Sequence, residues 1–379
     1  MTETFDIIVV GGGMVGAAIA YGLAAQGAEV AVLDESDTAF RAARGNFGLV
    51  WVQTKGLGMQ RYAEWTRQSA DLYPDFAARL LEATGIDIAY EKPGGIALCL
   101  GEAELEERRE TIARMVRQAG PAGYDCQVLD RRSVERMLPK LRFGDEVSGG
   151  SWCPHDGHVS PLHLLRALHT AMQKHGARYF AERRVEAIAH RAGTFEVTTD
   201  NGRFAAPRLV LAAGHGNPRL GPMVGLDVPT RPQRGQILVT ERLRPVLPMP
   251  LHNIRQTREG SIMIGNSAED VGFDDATTSD VSRAMAARAV RILPMLADKA
   301  LVRTWGALRV LPPDGFPIYD ESETCPGAFV ATMHSGVTLA AAHALVLSRW
   351  IGLGERPEGF GDFSAGRFAE TREHVPAPV

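Results

Sequence analysis

The sequence of 379 residues contains little lysine and no extended basic segment. Five of its 41 basic residues are Lys and 36 are therefore Arg, a bias that we attribute to genomic base composition. Against 45 acidic residues the net charge is −4, and no run of basic residues forms a stripe that could neutralise a phosphate backbone. Nucleic acid is therefore not expected as a partner.

Close pairs of cysteines are also missing. The four cysteines are Cys99, Cys126, Cys153 and Cys325. Their spacing along the chain does not match the short-spaced sets that bind zinc or an iron–sulfur cluster. We interpret them as reduced, structural thiols of a cytoplasmic protein.

Long hydrophobic runs are absent from the sequence. The most apolar late stretch, 337–351, includes His343 and Arg349 and is too short to span a bilayer, so no membrane span is expected. The first residues lack the basic segment and apolar core of an export signal, which also favours a cytoplasmic location. A composition of 45% hydrophobic and 23% charged residues, with a mean hydropathy of −0.10, is typical of a globular protein. A length of 379 residues predicts two folded units or one large doubly wound unit.

The beginning of the chain contains a complete βαβ pattern. Residues 5–10 form a short apolar run of the kind buried in a parallel sheet, and a glycine cluster follows directly. From residue 14 to 26 small and apolar residues recur at helical spacing, and Gly27 ends the predicted helix. Residues 28–33 then predict a second buried strand that ends at Asp34.

Gly11, Gly13 and Gly16 form a GxGxxG motif between that first strand and the helix. Without side chains, these positions allow a tight turn, a close approach of backbone amides to a pyrophosphate, and close packing of helix on strand. Asp34 stands where a carboxylate can accept hydrogen bonds from a ribose hydroxyl. The set predicts a dinucleotide site rather than a simple glycine turn, and it leaves open whether NAD or FAD is bound.

The rest of the chain continues with helices and strands. The predicted helices cover 102–118, 162–175 and 279–291, and the predicted strands cover 95–100, a pair within 184–199, 209–213, 236–239, 252–257, 261–264 and 328–332. Glu259 and Gly260 predict a hairpin turn, so a second, largely antiparallel sheet is expected. No flexible linker separates the two units, which are therefore expected to be interleaved.

Six segments stand in a characteristic order along the chain. They are 11–16 with Asp34, 41–51 (RAARGNFGLVW), 157–161 (GHVSP), 209–214 (LVLAAG), 305–318 (WGALRVLPPDGFPI) and 333–339 (MHSGVTL). In amino-acid sequence and in order, these segments resemble the FAD-dependent family of glycine oxidases, D-amino-acid oxidases and sarcosine oxidases, and the resemblance covers most of the chain. NFGLVW and HSGVTLA look most similar to the β subunits of opine oxidases, D-hydroxyproline dehydrogenases and hydrogen cyanide synthase.

The resemblance implies an α/β fold in which a Rossmann-like FAD-binding domain is interleaved with a smaller α+β substrate domain built on a mainly antiparallel sheet. The FAD-binding domain would comprise 1–85, 146–225 and 310–379, and the substrate domain 86–145 and 226–309.

The resemblance also implies a set of cofactor-binding residues. They are Gly11, Gly13, Met14, Val15, Gly16, Asp34, Glu35, Ala42, Ala43, Asn46, Phe47, Gly48, Leu49, Val185, Ala213, Gly214, Ser335, Gly336, Val337 and Thr338. At 335–338, amides at the start of the last helix would stabilise the negative charge of reduced flavin; a helix merely capped by Ser335 is the alternative. FAD is expected to be non-covalent, because 306–310 lacks the Cys to which monomeric sarcosine oxidases attach their flavin.

Arg309 stands where the family has its carboxylate-binding Arg. A guanidinium can hold an amino-acid carboxylate with two parallel charge-assisted hydrogen bonds, whereas an ordinary Arg is a solvated surface charge. Arg255, on a strand of the predicted substrate sheet, and His334, just before the flavin-facing amides, are the other catalytic candidates. His334 is interpreted equally well as an interior histidine with satisfied hydrogen bonds.

Two departures from the family bear on the reaction. The predicted strand 261–266 lacks the Lys that sarcosine oxidases use to speed the reaction with oxygen, so an α subunit or another partner is expected to accept the electrons. Val310 and Leu311 replace the more frequent Pro and small residues after the carboxylate-binding Arg, which would reshape the substrate pocket.

One cluster has the residue types of a metal site. It consists of His155, Asp156, His158 and His163. Metal binding is not favoured, because His158 and His163 lie on either side of a strand-to-helix turn that contains Pro161.

The sequence thus predicts an FAD-dependent dehydrogenase or oxidase. Its reaction would be the oxidation of the C–N bond of a small amino or imino acid, such as an opine, a sarcosine-like or glycine-like compound, or a hydroxyproline, by hydride transfer to flavin N5. The alternatives are an NAD-linked dehydrogenase and a non-catalytic electron-relay or scaffold subunit of a flavoprotein complex.

Overall fold

The computed structural model of the protein describes residues 2–35, 42–265 and 267–368. Arg41, Asn266 and 369–379, which belong to predicted segments named above, lie outside the described residues. None of the helices in the described ranges is long and apolar enough to cross a membrane.

The described residues contain nineteen strands and nine α-helical segments. In chain order, strands β1 to β19 are Thr2–Thr4, Ile7–Val10, Val30–Leu33, Leu49–Val50, Gly95–Leu100, Gln127–Asp130, Val147–Cys153, Gly157–His158, Arg178–Phe180, Val185–Arg191, Thr194–Thr199, Gly202–Ala206, Arg208–Leu211, Arg231–Arg242, Ile254–Gln256, Ser261–Ile264, Leu301–Leu311, Ile318–Glu321 and Ala328–Thr332. Helices α1 to α9 are Met14–Ala25, Gln60–Thr84, Gly101–Ala119, Arg131–Met137, Pro161–Lys174, Asn217–Leu220, Ser279–Ile292, Ala340–Ala342 and Ser348–Leu353.

A six-stranded sheet forms the first layer, in the order β18-β19-β13-β2-β3-β9. All neighbours in it are parallel except the edge strand β18. Every residue of β2 and β3 is buried, because α1, α2 and α5 pack on one face and the sheet of β10, β11 and β12 packs on the other. This confirms the predicted Rossmann-like α/β architecture.

Helix α1 packs closely against this sheet because glycines stand at its start. Gly11 has a φ of 104°, and a Cβ on Gly16 would lie 1.9 Å from the Gly11 carbonyl oxygen. Only glycine fits these two positions without moving the helix. The helix ends at Ala25, and Gly27, with a φ of 89°, turns the chain toward β3 as predicted.

The second layer is antiparallel, as predicted. One sheet has the order β15-β16-β14-β17 and another β5-β7-β6, and a bridge between Ile96 and Leu251 joins them. The hairpin of β15 and β16 turns at Gly260, whose φ is 101°, which confirms the predicted turn. Strand β14 is three times longer than the predicted 236–239, because it pairs with β17 from Arg231 to Thr240.

The chain returns to the first sheet through β19 and a turn into the last helices. The predicted helix start at Ser335 is displaced: Leu339 N donates to the Ser335 carbonyl at 3.0 Å, and regular α-helix begins at Ala340. Side chains of α2 explain why the helix begins later in the chain, because the Tyr73 hydroxyl donates to the Val337 carbonyl and Ser69 Oγ donates to the Thr338 carbonyl. A π-helical turn, His343–Leu347, then joins α8 to α9.

Candidate active site

A cleft lies between the six-stranded sheet and the antiparallel layer, and it consists of two adjacent cavities. The glycine-motif cavity follows the carboxyl ends of β2, β3 and β13, and the Arg309 cavity lies against β14 and β17. Ala42, Asn46, His334 and Val337 line both cavities. These four residues therefore mark the boundary at which the two cavities adjoin.

Most of the predicted cofactor residues meet in this cleft. The glycine-motif cavity is lined by Gly11, Gly13, Met14, Val15, Asp34, Glu35, Ala42, Ala43, Asn46, Val185, Ala213, Gly214, Gly336 and Val337. The Arg309 cavity adds Phe47, Leu49, Ser335 and Thr338.

Gly16 and Gly48 do not line the cleft, although both were predicted to bind the cofactor. Gly16 lies beneath the Gly11 carbonyl, as described above. Gly48 has a φ of 91°, and a Cβ there would lie 2.4 Å from the Val159 carbonyl oxygen. At both positions the absence of a side chain lets another backbone segment approach closely, and this packing supports the cleft wall.

The glycine-motif cavity has the polar groups that a dinucleotide requires. Asp34 Oδ2 accepts a hydrogen bond from Gly12 N at 2.6 Å, which fixes the carboxylate at the end of β3. Arg183 Nε and Thr332 Oγ1 are buried in the cavity wall and have no partner among the described residues. A Cβ on Gly13 would meet no described atom within 4 Å, so that turn is open to a ligand. The cavity therefore fits a cofactor with phosphate and hydroxyl oxygens.

Arg309 reaches the second cavity from β17, as predicted. Its guanidinium lies over Gly235, where a Cβ would be 2.5 Å from Nη2, and Nη1 donates to the Arg234 carbonyl at 3.3 Å. Burial lowers the pKa of Arg309. Arg234 on the neighbouring strand differs, because Glu269 and Asp274 each contact its guanidinium at 2.7 Å. Among the described residues no carboxylate neutralises Arg309 in this way.

The two other catalytic candidates are in different surroundings. Arg255 is 4% exposed and lies behind the 46–48 loop, where Nε donates to the Phe47 carbonyl and Nη2 lies 3.1 Å from Met263 Sδ. His334 lines both cavities, and Nδ1 is 3.4 Å from Ser335 Oγ. Burial, together with the charges of Lys55 and Arg309, holds the pKa of His334 well below its ordinary value, so the imidazole is neutral at pH 7.

Sequence reasoning gave no site role to several residues of the Arg309 cavity, among them Trp51, Lys55 and His252. Lys55 Nζ donates to Ser335 Oγ at 2.9 Å, and burial and Arg309 lower the pKa of Lys55 to about 8. Burial lowers the pKa of His252 to about 4, and its ring centroid lies 5.4 Å from that of Trp51. The sequence offered one signal for Lys55, namely its position just after the NFGLVW segment in a chain with five Lys.

The side chains of the suspected metal cluster point to separate partners. His155 Nε2 contacts Asp125 at 2.5 Å, and His158 Nε2 lies 3.6 Å from Glu91. Asp156 instead accepts a hydrogen bond from Val52 N at 2.6 Å. Within 2–35, 42–265 and 267–368 no three His, Cys, Asp or Glu side chains are grouped to hold a metal ion.

Comparison with known proteins identifies the family. Residues 6–350 match the family described as DAO, FAD dependent oxidoreductase. An opine oxidase subunit of Agrobacterium tumefaciens is 43% identical over 364 residues, which are 96% of this chain and 97% of the relative. The HcnC subunit of hydrogen cyanide synthase from Pseudomonas aeruginosa is 27% identical, with 97% of each chain covered.

A solved structure agrees with the fold described above. Glycine oxidase from Geobacillus kaustophilus superposes with a TM-score of 0.86 at 27% identity, covering 96% of this chain and 98% of that one. The predicted family and cofactor class are confirmed, and the NAD-linked alternative is excluded. The chain belongs to the DAO family of FAD-dependent oxidoreductases.

Proposed function

We propose that the protein oxidises the C–N bond of a secondary amino acid of the opine class and passes the electrons to a partner protein. The observation that carries this proposal is Arg309, a cavity-lining guanidinium with no carboxylate neighbour among the described residues. Support for the substrate class comes from the full-length similarity to opine oxidase subunits of two bacteria.

The proposed role of Arg309 is to hold the substrate carboxylate. A planar guanidinium fixes both the position and the orientation of a carboxylate, and so places the adjacent α-carbon at one point in the cavity. Because Arg234 is already neutralised by Glu269 and Asp274, Arg309 is the guanidinium of this pair that is available to an anion.

The cavity also favours the neutral form of the substrate nitrogen. Lys55 and Arg309 are cationic, and a substrate ammonium placed near them is disfavoured by like charge and by burial. His334 and His252 are neutral at pH 7, so each offers an imidazole that can exchange hydrogen bonds with the amine. A free amine is the form from which an α-hydrogen can leave as a hydride.

FAD would lie along the cleft, held without a covalent bond by the cofactor residues that line it. The turn at 11–13 and Asp34 would contact the adenosine and diphosphate part, and 46–49 with 335–338 the flavin ring. When bound, FAD supplies the acceptor for the hydride at N5. Residues 1–85, 146–225 and 310–379 would form the FAD-binding domain in this proposal, and 86–145 with 226–309 the substrate domain.

A partner protein is proposed as the electron acceptor because the two relatives at 43% identity are each one subunit of an opine oxidase. Strand β16, which would carry the oxygen-activating Lys of sarcosine oxidases, has the sequence SIMI. The alternative, a non-catalytic electron-relay or scaffold subunit, is tested with the isolated, FAD-loaded chain. In a chain without catalytic function, no substrate would reduce the flavin.

The experiment is an anaerobic screen of opines, N-methyl amino acids, hydroxyprolines and D- and L-amino acids against the FAD-loaded protein, read as bleaching of the flavin absorbance. The best substrate is then tested on Arg309→Ala, for which we expect kcat/KM to fall by about 100-fold or more. Arg303→Ala is the matched control, because Arg303 is exposed on the same strand. Equal kcat/KM in wild type and Arg309→Ala would refute the carboxylate assignment.

A further inference from the structure

The Arg309 cavity contains a second cation, and the proposed function uses only one. Arg309 enters from β17, whereas Lys55 enters from the turn 51–56, far from it in sequence. Within the described residues neither cation has a carboxylate oxygen inside 4.0 Å. Charged groups in partly desolvated cavities are normally paired, so the cavity has two positive charges to be compensated by a ligand.

The turn that holds Lys55 is fixed in an unfavourable backbone conformation. Thr54 has a φ of 63°, a region that β-branched residues rarely adopt. Thr54 N donates to the Tyr124 hydroxyl at 2.6 Å, and Asp156 Oδ1 accepts from Val52 N at 2.6 Å and from Gln53 N at 3.2 Å. Strain of this kind persists where the surroundings fix it, and the result here is a Lys that lines the cavity.

Asp156 is an incomplete counter-ion of Lys55, because it makes no contact with Lys55 within 4.0 Å and burial raises the pKa of its carboxyl to about 7. Its Oδ2 accepts from Gln53 Nε2 at 2.6 Å while Oδ1 holds the backbone of the turn, so both oxygens already bind donors. The acceptor of Lys55 Nζ is Ser335 Oγ, a neutral oxygen that also accepts from the Tyr62 hydroxyl at 2.8 Å. An ammonium has three N–H donors, so Lys55 can also bind an anionic ligand.

We propose that Lys55 binds a second carboxylate of the substrate, so that the preferred substrates are secondary amines with a carboxylate on each side of the nitrogen. This inference rests on the proposed function, in which Arg309 binds the first carboxylate. A substrate with one carboxylate leaves one buried cation uncompensated, and an N-carboxyalkyl amino acid compensates both.

The test compares two substrates that differ in one carboxylate: an N-(1-carboxyethyl) amino acid and the N-ethyl derivative of the same amino acid. Anaerobic flavin reduction gives kcat/KM for each with wild type, Lys55→Met, Lys55→Arg and the exposed control Lys140→Met. We expect wild type to prefer the dicarboxylate, and Lys55→Met to lower that preference by about 30-fold, read as the ratio of the two kcat/KM values so that an effect common to both substrates cancels. Lys55→Arg should retain most of the preference.

A second measurement does not depend on turnover. Thiodiacetate has two carboxylates and (methylthio)acetate has one, so this pair differs in the same way as the two amine substrates. In both compounds a sulfur atom replaces the oxidisable nitrogen. Calorimetry with the FAD-loaded wild type should show tighter binding of thiodiacetate, by about tenfold or more, and Lys55→Met should remove the difference.

The two measurements separate failure of this inference from failure of the proposed function. If no amine reduces the flavin but thiodiacetate is preferred through Lys55, the proposed function is wrong and the two-carboxylate site is retained. If amines reduce the flavin and wild type shows no preference for two carboxylates, the inference is wrong. An equal loss of rate with both substrates in Lys55→Met would also overturn it, because Lys55 would then act on the flavin or on the fold.

Discussion

At the scale of single residues, charge pairing distinguishes ligand-binding groups from structural ones. Arg234 and Arg309 lie on paired strands of one sheet, and Arg234 is enclosed by two carboxylates while Arg309 lines a cavity. The sequence could predict Arg309 as a site residue because the motif around it resembles the corresponding motif of the family. Nothing in the sequence showed that Arg255 lies behind the loop, because that position depends on how β15 packs against 46–48.

The surroundings of Arg255 predict a positioning role. We expect Arg255→Met to weaken FAD binding by about tenfold, because the Phe47 carbonyl, on the loop proposed to contact the flavin, loses a charged donor. KM for the substrate should change by less than about threefold. Fluorescence titration of the apoprotein with FAD measures the first effect, and Arg258→Met, which removes an exposed Arg paired with Asp87, is the control. A large rise in KM with unchanged FAD affinity would place Arg255 on the substrate instead.

The titration of Lys55 gives a prediction for pH. Its pKa is lowered to about 8 by burial and Arg309, against the opposing charge of Asp156, whose own pKa burial raises to about 7, so that Asp156 is largely ionised above pH 8. The charge of Lys55 is therefore present below pH 8 and lost as the pH rises through 8. His334 and His252, which line the same cavity, are neutral throughout this range, and Arg309 stays charged.

If Lys55 binds a second carboxylate, the preference of wild type for the dicarboxylate should decline between pH 7 and 9. Lys55→Arg should keep its preference over the same range, since Arg does not titrate there. The ratio of kcat/KM for the paired substrates at each pH is the measurement. A constant ratio in wild type would contradict the assigned charge state.

At the scale of elements, the pattern of the sequence predicted those strands whose apolar residues are contiguous. The predicted bounds of 95–100, 261–264 and 328–332 coincide with β5, β16 and β19. Strand β17 was not predicted as a strand, because its first half is exposed and carries no buried alternation. The turn 51–56 was also missed, since its shape depends on Asp156 and Tyr124 from distant segments.

The glycine motif predicts different effects for two of its members. A Cβ on Gly16 would overlap the Gly11 carbonyl, so Gly16→Ala should destabilise the apoprotein by roughly 2 kcal/mol. A Cβ on Gly13 meets no described atom, so Gly13→Ala should keep the melting temperature of the apoprotein and weaken FAD binding through contact with the diphosphate. Thermal melts and FAD titrations of both variants test this pair. Unchanged FAD affinity in Gly13→Ala would mean that the diphosphate does not lie over this turn.

At the scale of the whole molecule, the cleft is formed jointly by the two layers, and its residues come from many separate segments. Sequence predicted the α/β class and the antiparallel second layer, and most of its proposed cofactor residues line the cleft, because each of these depends on local pattern or on a recognisable motif. It did not predict the cationic character of the substrate cavity, because Lys55 and Arg309 are brought together only by the tertiary fold.

A cofactor that contacts both layers should stabilise the protein as a unit. We expect FAD to raise the melting temperature of the apoprotein in a concentration-dependent manner, with about 2.7 kcal/mol gained at a hundredfold excess over Kd. ADP alone, which would occupy only the glycine-motif cavity, is the control and should stabilise less at the same concentration, because its Kd should be higher. Equal stabilisation by ADP and FAD would indicate that the flavin ring does not join the two layers.

The most direct test of the central claim is anaerobic titration of the purified, FAD-loaded protein with an N-carboxyalkyl amino acid, followed by the visible flavin absorbance. The account predicts that the flavin band is bleached by this compound and that Arg309→Ala requires a far higher concentration for the same bleaching. A protein that retains FAD but whose flavin is reduced by none of the secondary amino acids, or is reduced equally well without Arg309, would contradict it.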